Sequence, residues 1–192
     1  MGKPISPPPV VGGLRGELPA YLSNGVIGLR VRPNPLSAGM TLVSGLAGRH
    51  PARHIEAAAL APYPLAADIS LDGVWASDAS DALTIVDQVY DFETAELTTR
   101  LVYQPGDVSA EITVVAFCSR DDPTIVCQEL SLRLDGLAKV VLRPMIDARD
   151  VEGRALAHER HTPGEAEPAC DGSLLWETEG ALSTCGLAMV SN

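Results

Sequence analysis

The sequence predicts an all-β protein, an antiparallel two-layer β-sandwich with little helix, and three observations lead to that class. Alternating apolar and polar residues recur in short runs, at a spacing typical of sandwiches and barrels. Clusters of Gly, Pro, Asn and Asp, which favour turns, separate these runs. No long helical pattern lies between them, so we expect the sheets to be mostly antiparallel.

The clearest run is Ala110–Leu134, which predicts two long strands joined by a polar turn at Ser119–Pro123. The first strand has an apolar residue at every second position, which places these residues on one face of the pleat: Ala110, Ile112, Val114, Ala116 and Cys118. On its other face Val115 and Phe117 are also apolar, so we expect its far end to be buried on both sides. The return strand repeats the pattern with Val126, Leu130, Leu132 and Leu134. We therefore predict a hairpin at the centre of a sheet.

The N-terminal third begins with a Pro-rich and Gly-rich stretch, and we expect residues 1–17 to be a disordered or extended lead-in. Residues 18–192 are expected to form the β-sandwich. Asn24-Gly25 is a strong turn signal, and the alternation over Ile27–Val31 predicts a strand. Residues 53–60 are rich in Ala and Glu, which predicts two turns of helix.

Further strands follow along the chain. Gly73 interrupts one of them and suggests a bulge. Another strand is expected to stop near Pro144, and a weak one is expected around residues 154–159. The remaining strands are predicted at Leu83–Phe92, Ala95–Tyr103, Leu174–Trp176 and Leu187–Val190.

Composition limits the function classes. The 192 residues are 46% hydrophobic, which suits one domain with its own core. A net charge of −11 repels phosphate, so we expect neither a nucleic-acid partner nor an anionic membrane. No apolar run approaches the roughly 20 residues of a membrane helix, and the Pro-rich start lacks the apolar block of a secretory signal. We therefore expect a cytoplasmic protein.

Cysteine and histidine residues are the first candidates for chemistry. Cys118 and Cys127 flank the predicted turn, where a disulfide and two free thiols are the alternatives; a reducing compartment favours the thiols. His50 and His54 are four residues apart, but the positive charge of Arg49 and Arg53 beside them opposes a cation. His158 and His161 are three apart, in a polar loop without a third ligand nearby. Together with the absence of a Cys-x-x-Cys pair, this predicts no metal site.

Carboxylates and aromatic rings are the other candidates. Asp68–Gly73 hints at a cation loop, yet it lacks the alternating carboxylates and closing glutamate of a calcium loop. Without a nucleophile elbow or a phosphate-binding Gly loop, the sequence predicts no catalytic residue and no cofactor. Tyr21 and Tyr63 lie in irregular segments and are the best candidates for a ligand-facing surface. The other aromatic residues singled out are expected in the core: Trp75, Tyr103 and Phe117.

Several segments, in the same order, resemble glycoside hydrolase family 65. Leu22–Gly28 resembles the Asn-Gly-x-x-Gly opening of its N-terminal domain, and Gly39–Gly45 with Gly48–Pro64 resembles the next strand and its proline-containing loop. Tyr90–Thr99 is similar to a segment of the trehalase-like branch rather than the phosphorylases, whose version contains a glycine. Val114–Glu129 is the most specific match, through its Phe-x-Ser-Arg-x-x-Pro pattern. The resemblance covers residues 18–190.

The resemblance implies a galactose-mutarotase-like super-sandwich that precedes a catalytic barrel of paired helices. In the family the general acid glutamate, and the base or phosphate site, belong to that barrel, and nothing in this chain matches it. We therefore interpret the chain as a non-catalytic N-terminal domain of an enzyme acting on α-glucosides, by hydrolysis or phosphorolysis. Its expected partners are the barrel, the parent enzyme's carbohydrate substrate and a second copy in a homodimer.

The sequence leaves two alternatives for the function of the chain. One is the non-catalytic enzyme domain; the other is a free-standing β-sandwich that binds carbohydrate or protein. In either case Ser119-Arg120 is expected to fix the hairpin turn, with Arg120 bonded to backbone or to a carboxylate. Beyond Tyr21 and Tyr63 as candidates for a ligand-facing surface, the sequence leaves the residues that contact the substrate unassigned.

Overall fold

A computed structural model describes residues 10–11, 20–160 and 170–191 of the chain. Within these residues it contains fifteen strands and two single 3₁₀ turns, at Ser80–Ala82 and Glu179–Ala181. The strands of the first half are β1 Val10–Val11, β2 Ala20–Ser23, β3 Ile27–Val31, β4 Met40–Arg49, β5 Glu56–Ala61, β6 Tyr63–Leu71, β7 Val74–Trp75 and β8 Leu83–Asp91. Those of the second half are β9 Glu96–Tyr103, β10 Ala110–Cys118, β11 Val126–Leu134, β12 Val140–Asp147, β13 Gly153–Arg160, β14 Gly172–Thr178 and β15 Thr184–Met189.

The strands form four sheets, and every pairing between them is antiparallel. The largest has the order β1-β8-β9-β10-β11, and a second has the order β2-β3-β4-β5. Two three-stranded sheets have the orders β12-β6-β7 and β13-β14-β15. The predicted all-β, antiparallel, sandwich-like class with little helix is confirmed.

Two apolar clusters hold the layers together. The inner face of the five-stranded sheet packs at one end against β2 and β3, through Leu97 and Ala116 on one side and Leu22 and Leu29 on the other. At its other end the same face packs against β6 and its neighbours, in a cluster that contains Ile69, Leu71, Leu101, Tyr103, Ile112 and Val114. Burial of these apolar surfaces is the main favourable term in folding.

The predicted hairpin is confirmed in its bounds, but it does not lie at the centre of its sheet: among the described strands β11 pairs with β10 alone and forms the edge. β10 pairs with β11 from Ala110 opposite Leu134 to Cys118 opposite Val126, and β9 covers the other edge of β10. The five alternating apolar residues of β10 are all buried. On the opposite face Val115 and Phe117 are only half-buried, so the expectation of burial on both sides is met in part.

Three local predictions are wrong. Residues 56–61 form β5 rather than a helix, because pairing with β4 outweighs the weak helix preference of their Ala residues. Gly73 does not mark a bulge; with Asp72 it forms the two-residue turn between β6 and β7, both at positive φ. β12 continues through Pro144 to Asp147, and it pairs with β6 alone among the described strands. A proline lacking its N–H is tolerated on such an edge.

The lead-in is described only at β1. Val10–Val11 pairs with β8, so this part of the predicted lead-in is extended and belongs to a sheet. The rest of residues 1–17 lies outside the described residues, as does His161.

Candidate functional site

The side chain of Asn24 joins two turns that are far apart in the sequence. Its amide nitrogen donates to the carbonyl oxygens of Ser119 and Pro123, at 2.6 and 3.0 Å. Its Oδ1 accepts from the backbone N–H groups of Val26 and Ile27, at 3.0 and 2.9 Å. One side chain therefore closes its own turn and fixes the β10–β11 turn against it.

The β10–β11 turn is also closed from within. The Asp122 N–H donates to Ser119 Oγ at 3.1 Å, and the Thr124 hydroxyl donates to Asp122 Oδ1 at 2.7 Å. Arg120 is exposed, and among the described residues it makes no hydrogen bond or ion pair through its side chain. The prediction that Ser119-Arg120 fixes this turn is therefore confirmed for Ser119 and wrong for Arg120; Asn24 supplies the other contacts that fix the turn.

Asp68, from the segment that hinted at a cation loop, is buried and engaged by the protein itself. Its Oδ1 accepts from the N–H groups of Ile69 and Ser77, and its Oδ2 accepts from Ser77 Oγ at 2.8 Å and Arg143 at 3.0 Å. The Arg143 guanidinium also lies 4.2 Å from the centre of the Trp75 ring. With its oxygens taken up in this way, Asp68 ties β6 to β12.

An open cleft of about 600 Å³ lies where β3 ends. Arg30 and Arg32 reach it from that end of β3, and Arg149 from the loop after β12. Thr41 lines it from β4; this residue is 3% exposed, and its hydroxyl has no hydrogen-bond partner among the described residues. The cleft and the Asn24 turn are thus at opposite ends of β3.

Gly39 holds the loop beneath the cleft close to β3. A Cβ atom there would lie 2.2 Å from the Arg30 carbonyl oxygen and 2.8 Å from the Tyr63 ring. Any side chain at this position would push the loop away. Glycine therefore allows the contact that positions the Arg30 backbone.

Arg149 is held by a buried carboxylate. Its Nε donates to both oxygens of Asp147, at 3.0 and 2.9 Å, and its Nη2 donates to Oδ2. These hydrogen bonds lower the pKa of Asp147 below its ordinary range, against the opposing effect of burial. The guanidinium itself extends into solvent at the cleft.

Replacing Asp147 by asparagine is expected to lower the free energy of unfolding by roughly 1–3 kcal/mol near neutral pH, since charge-assisted hydrogen bonds are lost. The native pKa of Asp147 lies below the unfolded value of about 3.9, so this stabilisation is complete above about pH 5 and disappears as pH falls through the native pKa. Urea unfolding followed over this range should show the gap between the two proteins narrowing in acid.

Asp87→Asn is the matched control for this experiment. Arg100 donates to Asp87 and lowers its pKa too, but the Asp87 carboxylate is partly exposed, whereas that of Asp147 is buried, so solvent screens the Asp87 pair more strongly. We expect a smaller loss than for Asp147→Asn. Equal losses in the two variants would contradict the role given to Asp147.

The two tyrosines predicted to face a ligand differ in their exposure to solvent. Tyr21 is 61% exposed, as predicted for a ligand-facing residue, whereas Tyr63 is buried and the same prediction for it is wrong. Burial, followed by the neighbouring Cys118, raises the pKa of Tyr63 above its ordinary range. Of the rings predicted in the core, Tyr103 is fully buried, while Trp75 and Phe117 are half-buried.

The histidines and cysteines form no reactive cluster in the part of the chain that the structure describes. His50 accepts hydrogen bonds from the N–H groups of Ala52 and Arg53 and shapes its own turn. No group of three or more His, Cys, Asp or Glu side chains is arranged to hold a metal among these residues. All four cysteines are free thiols, which confirms the alternative favoured by the sequence. Burial raises the pKa of Cys118 to about 11, so its thiolate is scarce at neutral pH.

The fold and these features define the class of protein. It is an antiparallel β-sandwich-like domain. At one end of β3 the β2–β3 turn is hydrogen-bonded to the β10–β11 turn, and at the other end lies an arginine-lined cleft. Its described helical segments are each three residues long, far shorter than a membrane-crossing helix. No family model matches this sequence, and no curated protein matches it.

Sequence reasoning missed the cleft. Arg149 is more than a hundred residues away from Arg30 and Arg32, and the link between them depends on the path of the chain. One signal was present: two arginines stand two residues apart where a predicted strand of an acidic protein ends. Arg30 lies on β3 and Arg32 directly follows it, so both side chains are available at this end of the strand.

Proposed function

We propose that the chain is the non-catalytic N-terminal β-sandwich domain of a carbohydrate-active enzyme that acts on α-glucosides, of the glycoside hydrolase family 65 type. One observation carries the proposal. The first and the last of the segments that resemble that family are joined by Asn24, which donates to the carbonyl oxygen of Ser119, 95 residues away in sequence. This contact supports treating them as parts of one signature.

The role proposed for the domain is to pack on the catalytic barrel and shape the rim of its pocket. Apolar side chains exposed in and beside the β13–β15 sheet support this role, because they offer apolar surface to a neighbouring domain. They are Leu156, Leu175, Leu182 and Val190, which are between 42% and 69% exposed. A cytoplasmic location, contacts in a homodimer and the lack of a nucleic-acid partner are further parts of this proposal.

Reading the source gene beyond the codon for Asn192 tests the proposal. The reading frame should continue for several hundred codons with helical periodicity, and its full product should cleave α-glucosides by hydrolysis or phosphorolysis. The 192-residue chain alone should not cleave them. A stop codon directly after Asn192 would overturn the enzyme-domain proposal, and α-glucosidase activity of the isolated chain would overturn its non-catalytic part.

A free-standing carbohydrate-binding module is the second candidate, favoured by one observation. Tyr21 presents its ring to solvent on β2, and exposed aromatic rings stack on sugar faces. If this candidate holds, maltose should shift the amide resonances around Tyr21, and Tyr21→Ala should abolish the shift. Absence of such shifts with the wild-type chain would count against it.

A further inference from the structure

We propose that the cleft at the end of β3 binds a small molecule carrying a phosphate or carboxylate group. Three of the chain's arginines, Arg30, Arg32 and Arg149, converge on it in a protein whose formal charge is −11. The inference stands on the cleft alone and does not depend on the proposed enzyme role.

The charge balance of the cleft favours an anion. Besides the three arginines, its described lining contains one carboxylate, Asp150, and Asp147 lies behind Arg149. Arg30 and Arg32 form no ion pair with any described residue, so neither charge is neutralised by a direct contact. Guanidinium groups bind planar and tetrahedral oxyanions through paired N–H donors, which suits them to both ligand groups.

Thr41 lies at the cleft wall with its hydroxyl unpaired and closed off from solvent. It pairs with Leu29, whereas Arg30 pairs with Met40, so Thr41 and Arg30 lie on opposite faces of the sheet. The contacts to the ligand therefore come from the guanidinium groups.

The size of the cleft sets the scale of the ligand. About 600 Å³ lies within the range of small-molecule sites and accommodates a monosaccharide derivative. Met40, Leu60 and Pro33 line part of the wall and give it apolar surface. We therefore expect a sugar phosphate or a sugar acid to bind better than the bare anion.

Calorimetric titration of the 192-residue chain tests the proposal. The probes are glucose 6-phosphate, glucuronate, inorganic phosphate and glucose, at low and at raised salt. We expect saturable binding of glucose 6-phosphate or glucuronate, weakening with salt, and none of glucose. Tighter binding of glucose 6-phosphate would identify phosphate as the preferred group, and tighter binding of glucuronate would identify carboxylate. Failure of both compounds to bind would overturn the proposal.

Variants locate the binding. The double substitution Arg30→Gln and Arg32→Gln should weaken binding at least about tenfold. Arg133→Gln, on the exposed outer face of β11, is the matched control and should leave the affinity unchanged. Equal weakening by the control, or unchanged affinity in the double variant, would show that the cleft is not the site.

Amide resonances locate the binding site without any substitution. In the wild-type protein, the amides of Arg30, Arg32 and Arg149 should shift on titration with the anionic sugar that binds. Shifts confined to other regions would overturn the proposal.

Discussion

Replacing Asn24 by alanine is expected to lower the free energy of unfolding by roughly 2–3 kcal/mol, because four side-chain hydrogen bonds are lost, some of them partly buried. The half-buried carbonyl of Ser119 and N–H of Ile27 lose their partners. The β2–β3 turn also separates from the β10–β11 turn. Urea unfolding followed by circular dichroism measures the loss.

Two variants serve as controls for Asn24→Ala. Asn24→Asp keeps the oxygen that closes the local turn but cannot donate to Ser119 and Pro123, so it isolates the contact between turns. Asn34→Ala removes a side chain that accepts only from the Leu36 N–H two residues on. We expect a large loss in the free energy of unfolding for Asn24→Asp and a small one for Asn34→Ala. A loss no larger in Asn24→Ala than in Asn34→Ala would contradict the bridging role.

Asp68→Asn is expected to destabilise the protein by roughly 2–4 kcal/mol, because the buried carboxylate accepts four hydrogen bonds, whereas the amide that replaces it has only one accepting oxygen. Arg143 loses the carboxylate to which it donates. The NH2 group of the new amide faces Ser77 or Arg143, which are themselves donors, so it repels them. Since Arg143 lies over the Trp75 ring, its release should also change the fluorescence of Trp75.

Asp121→Asn is the matched control for Asp68→Asn. Asp121 lies exposed in the β10–β11 turn, and no described residue bonds to its side chain. We expect its unfolding curve to match that of the wild type within experimental error. If Asp68→Asn behaved in the same way, the carboxylate would not be the link between β6 and β12 that the geometry indicates.

The strands were predictable where the sequence itself alternates. The hairpin Ala110–Leu134 has a two-residue period over both arms and a turn with Asp and Pro, and its strand bounds are as expected. β5 was not predictable in this way. Its Ala-rich sequence favours a helix in isolation, and only pairing with β4 decides for a strand.

The sites depend on contacts between distant segments, which local patterns do not encode. Asn24-Gly25 was recognisable as a turn, and Gly25 does adopt φ of 92°. That Asn24 would also bond to the Ser119–Pro123 turn follows from the stacking of two sheets. The burial of Tyr63 was hidden for a similar reason, since neighbouring prolines suggested a loop where β6 begins in the core.

The central claim, that this sandwich packs on a catalytic domain, is tested most directly by mixing the chain with the separately expressed product of the downstream codons. Light scattering should report a one-to-one complex. Leu175→Asp, on the exposed face of β14, should abolish it, while Ser131→Asp, on the exposed face of β11, should not. No complex, or a complex indifferent to Leu175→Asp, would contradict the proposed docking.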